Sequence, residues 1–204
     1  MISSNIKICG ISDKSTLLNL IELNIDFIGF IFYKNSPRNV DVNFLEQIPG
    51  INFKNSRPVC VFVNESRENI LNITSFFKNP IIQFHGDESD EFCSSFELDF
   101  WKVVRIKNNL SLKTIDSYKS ATAILLENYK EGIYGGTGQS FNWKLLKNMD
   151  ISGRKIVLSG GINVKNVDNA IRMSPWCIDL NSGVESEKGI KDINLVTKII
   201  KKIR

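Results

Sequence analysis

The feature that most constrains the fold is a repeat of short apolar runs. Eight runs end near Cys9, Phe32, Val63, Phe84, Val104, Leu126, Leu158 and Leu180, at a mean spacing of about 24 residues. That is close to the length of one strand–helix unit. The runs carry little polar alternation, as in Gly29-Phe30-Ile31-Phe32 and Val59-Cys60-Val61-Phe62-Val63. Strands of a parallel sheet covered on both faces read this way. Between the runs, apolar residues recur at helical steps. Leu17, Leu18, Leu20 and Ile21 are placed on one helix face, as are Ile70, Ile73, Phe76 and Phe77. The same holds near the end for Ile193, Val196, Ile199, Ile200 and Ile203. Eight such units predict an α/β chain of 204 residues forming one domain over 1–204, a (β/α)₈ TIM barrel at the small end of its size range. A doubly wound open sheet accounts less well for eight units, and for polar or small residues at nearly every strand end.

Hydrophobic residues make up 42% of the chain and charged residues 24%, enough for a globular protein with a real core. The net charge of +4 is mild and nowhere concentrated, which argues against nucleic acid. Lys198, Lys201, Lys202 and Arg204 fall at the end of a terminal helix, where the helix dipole favours cations. No apolar run approaches a membrane span. Met1-Ile2-Ser3-Ser4-Asn5 lacks the basic and apolar regions of a signal peptide. Cys9, Cys60, Cys93 and Cys177 have no CxxC spacing, and His85 is the only histidine, so no metal site is expected. Free thiols suit a cytoplasmic protein. The expected partner is a small molecule, with a monomer and a homodimer both open.

Two strand ends carry small, amide-exposing tripeptides: Ser159-Gly160-Gly161 and Asn181-Ser182-Gly183. Residues without bulk let backbone N–H groups approach an anion closely. In (β/α)₈ barrels a phosphate site is often built from the loops after strands 7 and 8. Gly160, Gly161, Ser182 and Gly183 are therefore candidate phosphate contacts. Ordinary helix-entry turns are the competing reading.

The other strand ends follow in order: Lys7-Ile8-Cys9-Gly10, Ser36-Pro37-Arg38, Gln83-Phe84-His85-Gly86-Asp87-Glu88, and Leu126-Glu127 running on to Gly135-Gly136-Thr137-Gly138-Gln139-Ser140-Phe141. Together with SGGIN and SGVE, these motifs resemble the phosphoribosylanthranilate isomerase family of tryptophan biosynthesis. The resemblance spans nearly the whole chain, and its specificity lies in six motifs in register.

The resemblance implies an Amadori rearrangement of N-(5-phosphoribosyl)anthranilate to the corresponding aminoketose by general acid–base catalysis, without a cofactor. It implies Cys9 as the general base, Arg38 as the group binding the anthranilate carboxylate, and His85 as a pocket-lining substrate contact of open role. Asp179 is read as a sugar-hydroxyl contact or a packing residue. Gly135, Gly136 and Gly138 are read as a lid, with a flexible connection as the competing reading. Lys7 is read as pointing away from Cys9 and is given no part in activating it.

The main departure is Glu127, where the family usually carries an aspartate as general acid. The added methylene moves the carboxyl by roughly 1 Å, a displacement that can cost about 100-fold in rate. Asn142 and Asn181 also depart, from Asp and Ser. Asn142 is read as a helix N-cap. Two other readings stay open. One is the histidine-pathway aminoaldose isomerase, which uses an aspartate where Cys9 stands. The other is a catalytically impaired barrel that only binds phosphate ligands.

Overall fold

A computed structural model describes residues 4–132, 134–135, 138–148 and 153–204. The apolar runs form eight parallel strands: β1 (Asn5–Cys9), β2 (Phe27–Phe32), β3 (Arg57–Phe62), β4 (Ile81–Phe84), β5 (Phe100–Ile106), β6 (Ala123–Asn128), β7 (Ile156–Leu158) and β8 (Cys177–Leu180). Each pairs with the next, and β8 pairs with β1, which closes a TIM barrel. Closure removes the unpaired strand edges that an open sheet would leave.

Alternation along the strands divides the apolar residues into two cores. Even-numbered positions such as Ile6, Ile8, Phe30, Phe62 and Phe84 pack outward beneath the helices. Odd-numbered positions such as Val59, Ile81, Trp101, Val103, Leu125 and Val157 fill the barrel. At its base Phe27, Trp101 and Trp176 meet with ring centroids 4.9–5.7 Å apart. This aromatic cluster fills the N-terminal end of the barrel, opposite the C-terminal ends of the strands.

The connecting helices begin where a short polar side chain can satisfy free backbone amides. Asp13, Ser66 and Asp192 cap α1 (Lys14–Glu22), α3 (Arg67–Thr74) and α7 (Ile193–Ile203) respectively. Between α1 and α3 lies the short α2 (Val42–Leu45). Two of the expected faces depart from the reading: α3 ends at Thr74, so Phe76 and Phe77 pack on the core from the turn that follows it rather than from the helix. Leu17, Leu20 and Ile21 are buried, whereas Leu18 is 45% exposed, because adjacent helical positions point about 100° apart. Between β6 and β7 the described helix is a 3₁₀ segment, Trp143–Asn148. Asn142 accepts from the Lys144 amide at its start, as an N-cap residue does.

A short antiparallel hairpin, β9 (Glu185–Glu187) and β10 (Ile190–Lys191), is inserted between β8 and α7. It has no counterpart in the strand–helix reading of the sequence, and it carries two charged residues of the site.

Candidate active site

Because odd-numbered strand residues face inward, the last odd residue of each strand reaches the open mouth. Cys9, His85, Glu127, Ser159 and Asp179 meet there and line one cavity of about 380 Å³. Arg38 and the loops after β7 and β8 complete its walls.

Cys9 is 4% exposed. Burial pushes its thiol pKa up, and Asp179 adds to that, while Lys7 and Lys191 pull it down. Lys7 corrects the sequence reading. Residues two apart share a strand face, so Lys7 lies inside the barrel with Cys9 rather than opposite it. Its Nζ donates to Asp179 Oδ1 at 2.9 Å. Burial opposes the ammonium charge, but Asp179 and Cys9 outweigh it and the Lys7 pKa is raised. Asp179 Oδ2 also accepts from Ser159 Oγ at 3.2 Å, so this aspartate is an anchored ion-pair member at the cavity wall.

Arg38 is held by the hairpin. Its Nε and Nη2 donate to the two carboxylate oxygens of Glu185, both at 2.7 Å. Lys191 Nζ donates to the same carboxylate at 2.6 Å and to Asn181 Oδ1 at 2.7 Å. Burial would raise the Glu185 pKa, but Arg38 and Lys191 together hold it down at about 2. The Nη1 edge of the guanidinium lies outside this pair. The Asn181 side chain is tied to Lys191, which accounts for an asparagine at this strand end.

His85 Nε2 lies 2.7 Å from Glu127 Oε2. On its other side, His85 Nδ1 lies 3.1 Å from Gln83 Nε2. Both carboxylate and imidazole are largely buried.

The two glycine-rich strand ends do converge. Gly160 and Gly161 have φ of +95° and +62°, in the left-handed region that side chains disfavour. A Cβ on Gly183 would lie 1.9 Å from the Ile162 carbonyl oxygen, so the second loop can press on the first only without a side chain. The segment after β6 docks over them: Ser140 Oγ donates to the Gly160 carbonyl at 3.0 Å. Gly135 lies against His85 and Gly138 against Gly161. Tyr134 donates to Asp87, which also accepts from Arg105 Nη2 at 2.6 Å. Gly136, the third glycine expected in a lid, falls outside the described residues.

Residues 6–202 match the sequence profile of N-(5'-phosphoribosyl)anthranilate (PRA) isomerase. The chain belongs to this family. An N-(5'-phosphoribosyl)anthranilate isomerase of Thermoanaerobacter pseudethanolicus is 37% identical, with 98% of this chain and 97% of that protein aligned. The crystal structure of phosphoribosylanthranilate isomerase from Thermotoga maritima superposes with a TM-score of 0.88 at 32% identity, covering 98% of each chain. A phosphoribosylanthranilate isomerase in complex with reduced 1-(o-carboxyphenylamino)-1-deoxyribulose 5-phosphate gives 0.86 at 31% identity, again covering 98% of each chain.

Against this family background, four contributors were not anticipated from sequence: Lys7, Gln83, Glu185 and Lys191. Odd-numbered spacing with Cys9 and His85 is a signal for the first two. Nothing local identifies the hairpin pair, because Glu185 and Lys191 act on Arg38 through tertiary contact. Among the described residues, no cluster of three or more His, Cys, Asp or Glu could hold a metal ion, and no helix is long and apolar enough to cross a membrane.

Proposed function

We propose that this chain isomerises N-(5-phosphoribosyl)anthranilate to 1-(2-carboxyphenylamino)-1-deoxyribulose 5-phosphate in cytoplasmic tryptophan biosynthesis, with the whole reaction housed in one barrel. The observation that carries the reading is convergence. A buried thiol, a buried carboxylate, an anchored guanidinium and two glycine-rich loops face a single cavity of about 380 Å³.

The substrate's phosphate sits on the amides and hydroxyl of Gly160, Gly161, Ser182 and Gly183. Its anthranilate carboxylate meets the free edge of Arg38, for which Glu185 supplies the orientation. Glu127 gives a proton to the furanose ring oxygen, the C1–O bond breaks, and a Schiff base forms at C1. Cys9, as thiolate, removes the C2 proton to give an enolamine, which tautomerises to the aminoketose. Each positioned proton transfer contributes about 10²–10⁴-fold. The resting thiol is protonated, and the ammonium groups of Lys7 and Lys191 favour the thiolate that must form. Asp179 holds Lys7 and borders the sugar. Gly135, Gly136 and Gly138 belong to a lid that keeps water from the ring-opened intermediate.

Loss of anthranilate-type fluorescence in fresh substrate tests the reading. Cys9→Ser and Glu127→Gln are expected to lower kcat by 10³-fold or more, by the acid–base magnitude above, with substrate still bound. Wild-type protein that binds phosphate ligands without turnover would instead identify the impaired barrel, which the Glu127 substitution favours.

A further inference from the structure

Gln83 is an inward position of β4, His85 directly follows that strand two residues on, and Glu127 is inward on β6, with β5 between them. His85 crosses that gap to bring Nε2 within 2.7 Å of Glu127 Oε2. With Oε2 as the acceptor, in the carboxylate or in an acid protonated on Oε1, Nε2 carries the hydrogen of this bond. In a neutral imidazole Nδ1 is then a bare acceptor, and the Gln83 amide nitrogen faces it at 3.1 Å. Gln83 is 1% exposed, and among the described residues its buried Oε1 has no hydrogen-bond partner. Leaving a buried amide oxygen unpaired is costly. The fold tolerates that cost while keeping the amide nitrogen on the ring.

Glu127 needs such support. It has one more torsion than an aspartate, and holding a longer side chain in one rotamer costs more conformational entropy. We propose that His85 is a positioning residue for Glu127, with Gln83 setting the tautomer in which His85 acts. The bond occupies Oε2, so the transferable proton resides on Oε1. His85 Nε2–H then remains bonded to the carboxylate that proton transfer leaves behind. The relay thereby absorbs the extra methylene and keeps the carboxyl in reach of the ring oxygen. This proposal rests on Glu127 being the general acid.

The test is a set of steady-state and single-turnover measurements on folded variants, checked by near-ultraviolet circular dichroism. His85→Ala is expected to lower kcat about 100-fold with KM changed less than about twofold, the signature of a misplaced catalytic group. His85→Gln, whose amide nitrogen can replace Nε2–H, should recover about tenfold of that loss, since a single hydrogen bond is worth about that much. Gln83→Leu should lower kcat alone, by several-fold. In a Glu127→Gln background His85→Ala should change the residual rate less than about twofold, because residues acting as a unit are not additive. A raised KM at unchanged kcat for His85→Ala overturns the relay and makes His85 a plain substrate contact. So does an undiminished 100-fold loss in the Glu127→Gln background. Wild-type kcat in Glu127→Gln alone overturns the acid assignment itself, so the two failures are distinguishable.

Discussion

Gly29 sits beside Cys9 on the neighbouring strand, and a Cβ there would lie 2.7 Å from the Cys9 sulfur. The thiol therefore owes its position to an absent side chain. Gly29→Ala is expected to displace it and lower kcat about 100-fold, the usual cost of moving a reacting group by about 1 Å, with KM little changed in steady-state kinetics. The protonation of Cys9 has a kinetic consequence as well. Burial raises its pKa above the ordinary 9.0, so the thiolate fraction grows as pH rises through neutrality and beyond. If thiolate is the base, kcat/KM should climb by up to tenfold per pH unit from pH 7 to 9. Lys7→Met removes the nearest group that favours the thiolate, and should depress the rate across that range. The strand-end placement of Cys9 was legible from its motif. Its electrostatic setting was legible only in part: Lys7 lies two residues away on the same strand face, whereas Asp179 and Lys191 lie more than 150 residues away in the chain.

At the scale of elements, the loops after β3 and β4 are tied to strand β5 by one carboxylate. Glu88 accepts from the Asn64 and Gly86 amides at 2.8 and 3.2 Å, and from Lys102 Nζ at 2.9 Å. Lys102 also donates to the Gly86 carbonyl at 2.7 Å. Both charges are buried. Lys102 lies on an even-numbered position of β5, so it points outward into this brace rather than into the cavity. Breaking a buried pair from one side strands the other charge, at about 3–5 kcal/mol. Lys102→Met is accordingly expected to lower the midpoint of thermal unfolding by about 10 °C for a chain of this size, measurable by calorimetry. The QFHGDE motif reads in sequence as a block of chemistry. In the fold its parts separate: His85 faces Glu127, Asp87 pairs with Arg105 on the surface, and Glu88 holds the backbone that carries them.

For the whole molecule, the hairpin after β8 closes the mouth around Arg38 by a three-charge cluster. Arg38, Glu185 and Lys191 are all largely buried at the side chain. The Glu185 pKa is lowered from 4.5 to about 2 in the folded chain. A depressed carboxylate stabilises the fold in full above its unfolded pKa, and that stabilisation is lost as pH falls from about 4.5 through about 2. The contribution at neutral pH is on the order of 3 kcal/mol. Glu185→Gln should lose that much, and denaturant unfolding across a pH series should show a shallower acid limb between those values. The same variant releases Arg38 from its clamp, so KM should rise through poorer placement of the guanidinium.

The sequence by itself determined the barrel, the order of its strands, and which strand ends bear thiol, carboxylate, guanidinium and small residues. Those follow from local periodicity and motif, which short segments encode completely. Tertiary structure alone decided which charges meet. Lys7 joins Asp179 because β1 pairs with β8 to close the barrel. Arg38 is oriented by a hairpin 147 residues further along the chain. Glu127 meets its imidazole because the end of β4 and an inward position of β6 face each other over β5. Such pairings depend on register and closure, and no window of sequence contains both partners.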